Sequence, residues 1–580
     1  MPRRLLTPIV FSLLLLAWAP IRAADNALEA ISSEASVAIR LKNPKAAIAK
    51  TKKLAESVSK EFGDFIGERL DDIGELISNP KLAGVDMESD WWVAVYAESG
   101  KAEPDVVFIV PAKDLNAMKE ALGSDVKFMD KGKLGIYTND ADAAAKTAAR
   151  LKGEGKSIST LMDKDSSGLF ENGDVSVFVN LAQLATSYKS EIEGFKDQLT
   201  QQLEMAGQFG AAGGAPFNTK QIAEALGKVF SFLVQGLDDS KSCTMAALVS
   251  NEGLFFEDLV KLKGDSATDK LLSKSQPGAL AAISSLPPGN LGYFGLTWDM
   301  SDFEQLSQWV FGAAGLPAET EKEVKGALDE AAKLKIGSIV TAFGLGEADE
   351  GAMRSVSVTE VDNPPKMRDV MRKVTKIMGK VEQQGIKQNV ELKTDAEKYG
   401  KNSADVVTVK QEFDEGQNPL MAQSIEKMNS AMFGPDGMTT RIVYLKDRVV
   451  QTMGGGKKAM TDALALIEKP STNDSKSPVQ QARAKLGQKS NVLLLIDLPN
   501  FVRKFFAFML ESGAFPFPLG DPDQMKDLDI KPSFFGLSAS TEAQGLRVKT
   551  NLSLEQMKGI AKLVKFFQGL AGGAEPAEEL

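Results

Sequence analysis

Asp163, Asp165, Ser167, Glu171 and Asp174 place oxygen-bearing side chains at positions one, three, five, nine and twelve of a twelve-residue stretch, with Gly168 at position six. Calcium takes six to eight oxygens, and this spacing folds them around one point in an EF-hand-like loop. The plainer reading is a turn-rich linker. Asp rather than Glu closes the stretch, and the residues after it read as a strand. Calcium is therefore the one cofactor the sequence admits.

Other chemistry is narrowed by the residue types the chain lacks. It contains no histidine, which removes Ser-His-Asp and Cys-His catalysis and imidazole zinc sites together. Ser-x-x-Lys occurs as Ser57/Lys60 and Ser424/Lys427, but without the partner motifs of the penicillin-recognising enzymes. Asp71-Asp72 and Asp238-Asp239 are adjacent acids, which by default lie on solvated surface. Gly454-Gly455-Gly456-Lys457-Lys458 resembles a phosphate loop only loosely. Gln451 stands where the first glycine belongs, and Lys458 where Ser or Thr would bind magnesium. A tight glycine turn into a helix explains the run better. The single cysteine, Cys243, cannot form an internal disulfide, and it sits in an apolar strand as an inert, buried thiol. No catalytic residue is assigned.

These residues must be carried by elements, and the stretch around which the elements are organised is 336–378. Alternating apolar residues (Ile336, Val340; Val356, Val358) flank a turn at Glu350-Gly351, and an amphipathic helix follows. Similar hairpins turn at Ser99-Gly100, Glu252-Gly253 and Gln544-Gly545. Each half of the chain reads as strand, helix, hairpin, helix, small hairpin, helix, linker, strand, helix, hairpin. Such self-similarity implies an internal duplication. Tight turns pair strands antiparallel, so the fold class is α+β, with two duplicated halves that each lay amphipathic helices on a sheet of hairpins. The expected boundaries are 24–285 for the first half, 286–570 for the second, and an acidic, flexible tail at 571–580.

The amino terminus carries Arg3 and Arg4, an apolar run from Leu5 to Ala19, and Pro20-Ile21-Arg22-Ala23-Ala24. That is the layout of a secretory signal peptide, with cleavage expected after Ala23. No later run approaches the roughly 20 apolar residues of a membrane span, so no transmembrane anchor is expected. A composition of 43% hydrophobic and 25% charged residues is that of a globular chain, and a net charge of -10 disfavours nucleic acid as a partner.

The strand-helix junctions Asn180-Leu181 and Asp497-Leu498, alternating with glycine-turn hairpins, resemble a class of exported bacterial repeat proteins of unassigned function. The resemblance implies an exported location and a repeat fold, and it carries over no site residue. The functional expectation is an exported, non-catalytic binding or scaffold protein of the bacterial cell envelope, periplasmic or secreted. Its partner would be another envelope protein or an apolar ligand. The alternative is a periplasmic carrier of lipid, lined by aromatic helices: Phe303, Leu306, Trp309, Val310 and Phe311; Phe501, Phe505, Phe506, Phe508 and Met509; Leu563, Val564, Phe566 and Phe567; with Phe515 and Phe517 beyond. The plainer reading of those helices is a packed core. A His-independent hydrolase is the third reading.

Overall fold

The computed structural model describes residues 25–101, 103–195, 197–198, 201–202, 219–297, 318–346, 351–379, 382–383, 386–413, 419–469, 477–512 and 522–572. The expected signal peptide, the helix 301–311, Phe515, Phe517 and most of the tail lie outside the described residues.

Among the described residues, alternating apolar side chains give nineteen strands. The first ten are β1 (Val37–Leu41), β2 (Trp91–Tyr96), β3 (Asp105–Pro111), β4 (Lys127–Lys131), β5 (Leu134–Thr138), β6 (Val175–Val179), β7 (Ser240–Ser250), β8 (Gly253–Leu262), β9 (Gly292–Leu296) and β10 (Ile336–Leu345). They continue as β11 (Met353–Val361), β12 (Glu382–Gln383), β13 (Ile386–Tyr399), β14 (Asn402–Phe413), β15 (Met438–Tyr444), β16 (Arg448–Met453), β17 (Val492–Ile496), β18 (Phe535–Glu542) and β19 (Gly545–Ser553). The pairings between them are antiparallel, and helices alternate with the hairpins, so the chain is α+β as expected.

Two compact units emerge, one of Met1–Phe195, Leu233–Leu272 and Glu542–Lys558, the other of Lys196–Phe232, Ser273–Thr541 and Gly559–Leu580. In the first, the strands run β4-β5-β3-β2-β1-β6-β7-β8-β19. In the second, β16-β11-β10-β9-β17-β18 form the middle, and β15, β14, β13 and β12 extend it. The orders β3-β2-β1-β6-β7 and β11-β10-β9-β17-β18 match element for element.

One side-chain contact recurs inside each unit. The residue before β6, Asp174, accepts the Val249 amide through Oδ2 at 2.7 Å. The residue before β17, Asn491, accepts the Thr541 amide through Oδ1 at 2.8 Å.

The first unit buries one sheet face along β1, β2, β3 and β6. Ala38, Trp92, Ala94, Tyr96, Val107, Ile109 and Phe178 pack with Ala27, Ile31, Ala143 and Phe170, which come from the helices Asp25–Leu28, Ala141–Leu151 and Lys164–Asn172 and the turn after the first of them. Asp114, Asp140 and Asp163 cap the helices that follow them. At the head of β8, Gly253 has φ +133°, and an added Cβ would stand 2.1 Å from the Leu552 carbonyl oxygen of β19. No L side chain tolerates that combination. Gly253→Ala should therefore lower unfolding stability by about 2–4 kcal/mol, read from urea melts of the two chains.

Candidate functional site

The strands of the first unit carry apolar residues at both parities, as in Val-Ala-Ile, Val-Ala-Val and Val-Ser-Val-Phe-Val. A strand of that kind has a second face to cover. The helices just described bury one face. On the other, Leu41, Trp91, Val110, Val175 and Ala247 are buried with Ala47, Ala55, Ile66 and Leu70 of the helices Pro44–Val58 and Lys60–Asp71, and beyond that row the side chains are only half-buried. Their registers join them into two rungs across seven strands. The first runs Val106, Val95, Val37, Val179, Cys243, Val260, Leu546, and the second runs Phe108, Val93, Ile39, Val177, Met245, Asp258, Val548. All fourteen side chains are half-buried. One is charged.

On the matching face of the second unit the rung Val449, Thr359, Ile339, Leu296, Val492, Ala539 is mostly apolar, and the next is mixed. That next rung reads Gln451, Ser357, Thr341, Phe294, Leu494, Leu537, and the Thr341 and Ser357 hydroxyls are bonded at 2.5 Å. In the first unit the two rungs are apolar from β3 to β19 apart from Asp258.

Asp258 makes no hydrogen bond or ion pair among the described residues. Burial pushes its carboxyl up to about 6, and the charge of adjacent Glu257 pushes the same way. Glu257 points from the opposite face and is bound by Arg547. Cys243, one strand over, is pushed up to about 12 by burial, with Asp258 adding to the effect. Its thiol is then almost entirely un-ionised near neutrality. Modification of Cys243 by a disulfide reagent at pH 8 should be at least about a hundredfold slower in the folded protein than in urea, followed by absorbance of the released thiolate.

The β3 end of the rungs opens into a pocket of about 360 Å³ walled by Val106, Phe108 and Tyr137 and rimmed by Glu103, Asp105 and Asp140. Phe108, Tyr137 and Phe128 stack at 5.3 and 6.5 Å, and Tyr137 donates to the Ile77 carbonyl at 2.7 Å. Two of the rim acids are engaged: Asp105 by Lys101 at 2.8 Å, and Asp140 by the Ala143 amide at 2.8 Å.

The twelve residues that read as a calcium loop form instead the helix Lys164–Asn172, because Ser166, Leu169 and Phe170 recur at helical spacing and are buried against the sheet. The candidate ligands Asp163, Asp165, Ser167, Glu171 and Asp174 are thereby strung along two helical turns rather than gathered. Asp163 caps the helix through the Ser166 amide, at 2.8 Å. Lys261 pairs with Asp163 at 3.0 Å and with Asp165 at 3.3 Å, while Asp174 turns to β7. Among the described residues no group of three or more His, Cys, Asp or Glu side chains is arranged to hold a metal ion.

Gly454, Gly455 and Gly456 all have positive φ and lead directly into the helix Gly456–Glu468, where Lys458 pairs with Asp462 at 2.5 Å. Ser57 donates its hydroxyl to the Lys53 carbonyl at 2.7 Å, and Ser424 and Lys427 lie on the helix Pro419–Phe433. Lys52 binds Asp71 at 2.7 Å. Asp239 accepts the amide and hydroxyl of Thr268 at 2.9 and 2.7 Å. Asn180 and Asp497 are N-caps, accepting from the Gln183 and Asn500 amides.

Of the aromatic helices, the two that are described contribute to a packed core. Phe506 meets Phe567 edge-on at 5.1 Å, and Phe566 packs with both around buried Ala507, Met525, Ile530 and Leu563. Val502, Ile560 and Val564 remain exposed.

No family model matches the chain, and no curated protein matches it. One solved structure, crystal form III of TP0453, is similar at 10% identity, covering 48% of this chain and 97% of that one, with a TM-score of 0.20. A likeness at that level carries neither fold nor function. Among the described residues, no helix is long and apolar enough to cross a membrane.

Proposed function

We propose that this chain is an exported, non-catalytic binding protein of the bacterial cell envelope, and that its working surface is the half-covered sheet face of the first unit. The observation that carries the reading is the pair of apolar rungs. An apolar patch of a few hundred Å² is the size of the largest on an ordinary monomer, and such patches are often binding surfaces. The hydrolase reading is weakened by the acids themselves, since Asp163, Asp174, Asp239 and Asp405 each serve a cap, an amide or an arginine. A carrier of apolar molecules is the second reading. It is favoured by the rungs and not by the two described aromatic helices, whose phenylalanines pack as core. The shared strand order and the paired Asp174 and Asn491 contacts support descent of the two units from one copied body. The exported location rests on the amino-terminal residues and on the repeat resemblance.

Ile39→Lys and Val177→Lys put a cation in the middle of the second rung while leaving the buried face untouched. Each should cut binding of an apolar fluorescent dye to the full chain by about tenfold, since a buried cation without a partner forfeits most of a contact of a few kcal/mol. Melting temperature should change little. Dye binding indifferent to both substitutions would remove the surface. Turnover on a hydrolase panel that disappears with a carboxylate substitution would restore the enzyme.

A further inference from the structure

We infer that the rungs hold one extended apolar chain whose amine head group is met by Asp258. The inference rests on the binding reading above and names its ligand.

The dimensions select a chain rather than a protein surface. Strands lie about 4.8 Å apart, so seven strands make a track about 29 Å long. Two rungs two residues apart make it about 7 Å wide between rows, or about 10 Å with the flanking atoms. The resulting area of about 300 Å² is well below the roughly 800 Å² per partner of a stable protein interface. It is the footprint of a single narrow apolar molecule.

Charge then gives the track a direction. Asp258 is the only ionisable side chain in fourteen apart from the Cys243 thiol, and it occupies the sixth of seven strands in its rung. No cation on the described residues pairs with it, so a ligand that brings one completes it. Five strand spacings, about 24 Å, separate Asp258 from Phe108 and the pocket of about 360 Å³. A head at Asp258 sends the tail toward that pocket. The raised affinity of Asp258 for protons agrees with an acid that lacks its counter-charge.

The test is titration of the full chain with dodecylamine, dodecanol and dodecanoate below their micellar concentrations, by displacement of a fluorescent dye. A charge-assisted hydrogen bond in a half-buried site corresponds to about tenfold in affinity or more. Dodecylamine should therefore bind at least about tenfold tighter than dodecanol, and dodecanoate weakest of the three. Asp258→Asn should bring dodecylamine level with dodecanol and leave dodecanol binding unchanged. Equal binding of all three by the wild-type chain would overturn the amine assignment while leaving the apolar track in place. If none of the three binds although the dye does and responds to Ile39→Lys, the chain inference fails and the binding surface stands. If the dye ignores Ile39→Lys as well, both fail.

Discussion

Replacing Arg372 with Leu should lower unfolding stability by about 3–5 kcal/mol, because it strips the counter-ion from a buried carboxylate. Asp405 is 2% exposed. Arg372, reaching from the helix Pro364–Met378, grips it through Nε at 2.7 Å and the terminal nitrogen at 2.6 Å. The same guanidinium reaches Asp395 at 3.0 Å, where β13 departs from regular pairing and Asp395 takes φ +51°. The Asp395 amide donates to Asp405 at 2.9 Å, and the Ser403 hydroxyl to Asp395 at 2.6 Å. Removing the guanidinium leaves Asp405 charged and dry, and leaves a left-handed non-glycine residue without its tether. The leucine side chain replaces the apolar stem of the arginine, so the loss measured by urea unfolding reports the charge. A loss under about 1 kcal/mol would mean that water reaches Asp405.

The second large effect is reciprocal and depends on pH. Asp174 is 1% exposed, and its Oδ1 has no partner among the described residues. Asn491, in the same place in the other unit, donates its amide to the carbonyls of Ser275 and Thr297 at 3.1 and 3.4 Å. Burial pushes the Asp174 carboxyl up to about 6, against the opposing charges of Lys50, Lys42 and Arg40. The unfolded value is about 3.9. Below that value both states are protonated and nothing is lost. As pH rises from about 4 to about 6 the unfolded chain releases its proton more readily, and stability falls by about 2–3 kcal/mol. Asp174→Asn should remove that decline, so the variant exceeds wild type by about 2 kcal/mol at pH 7.5 and approaches it at pH 4. Asn491→Asp should do the opposite, setting a carboxylate against two carbonyl oxygens at a cost of several kcal/mol at pH 7.5 that shrinks in acid. Urea melts at the two pH values compare all three chains.

Much of the architecture was legible because tight turns write themselves into sequence. Gly100, Gly253 and Gly351 all have positive φ, and the strand pairs assigned to them are present. At Gln544-Gly545 the positive φ falls on Gln544 instead, and the strand that follows, β19, pairs with β8. Asn43-Pro44 and Asp114 open helices where capping chemistry places them. The candidate site was harder to read. The acids from Asp163 to Asp174 have the spacing of a loop, but Leu169 and Phe170 also have the spacing of a helix face, and burial of those two residues decided between them. The half-covered face was visible only as a second apolar parity in strands such as Val-Ala-Ile. That signal says two faces are apolar but not how far the helices will cover each. That Cys243 and Asp258 come to lie on neighbouring strands of one face depends on the register of β7 with β8, which the local sequence does not specify.

Cys243 stands in the first rung, diagonal to Asp258, which makes the single thiol a built-in reporter of any molecule lying along the track. The decisive measurement is its rate of modification by methyl methanethiosulfonate at pH 9 in the full chain, with and without saturating dodecylamine. A bound chain lying across the rungs should slow the reaction by about tenfold or more, since occupancy of the track limits access to the sulfur. An unchanged rate at a dodecylamine concentration that fully displaces the dye would contradict it, for the ligand would then be bound elsewhere.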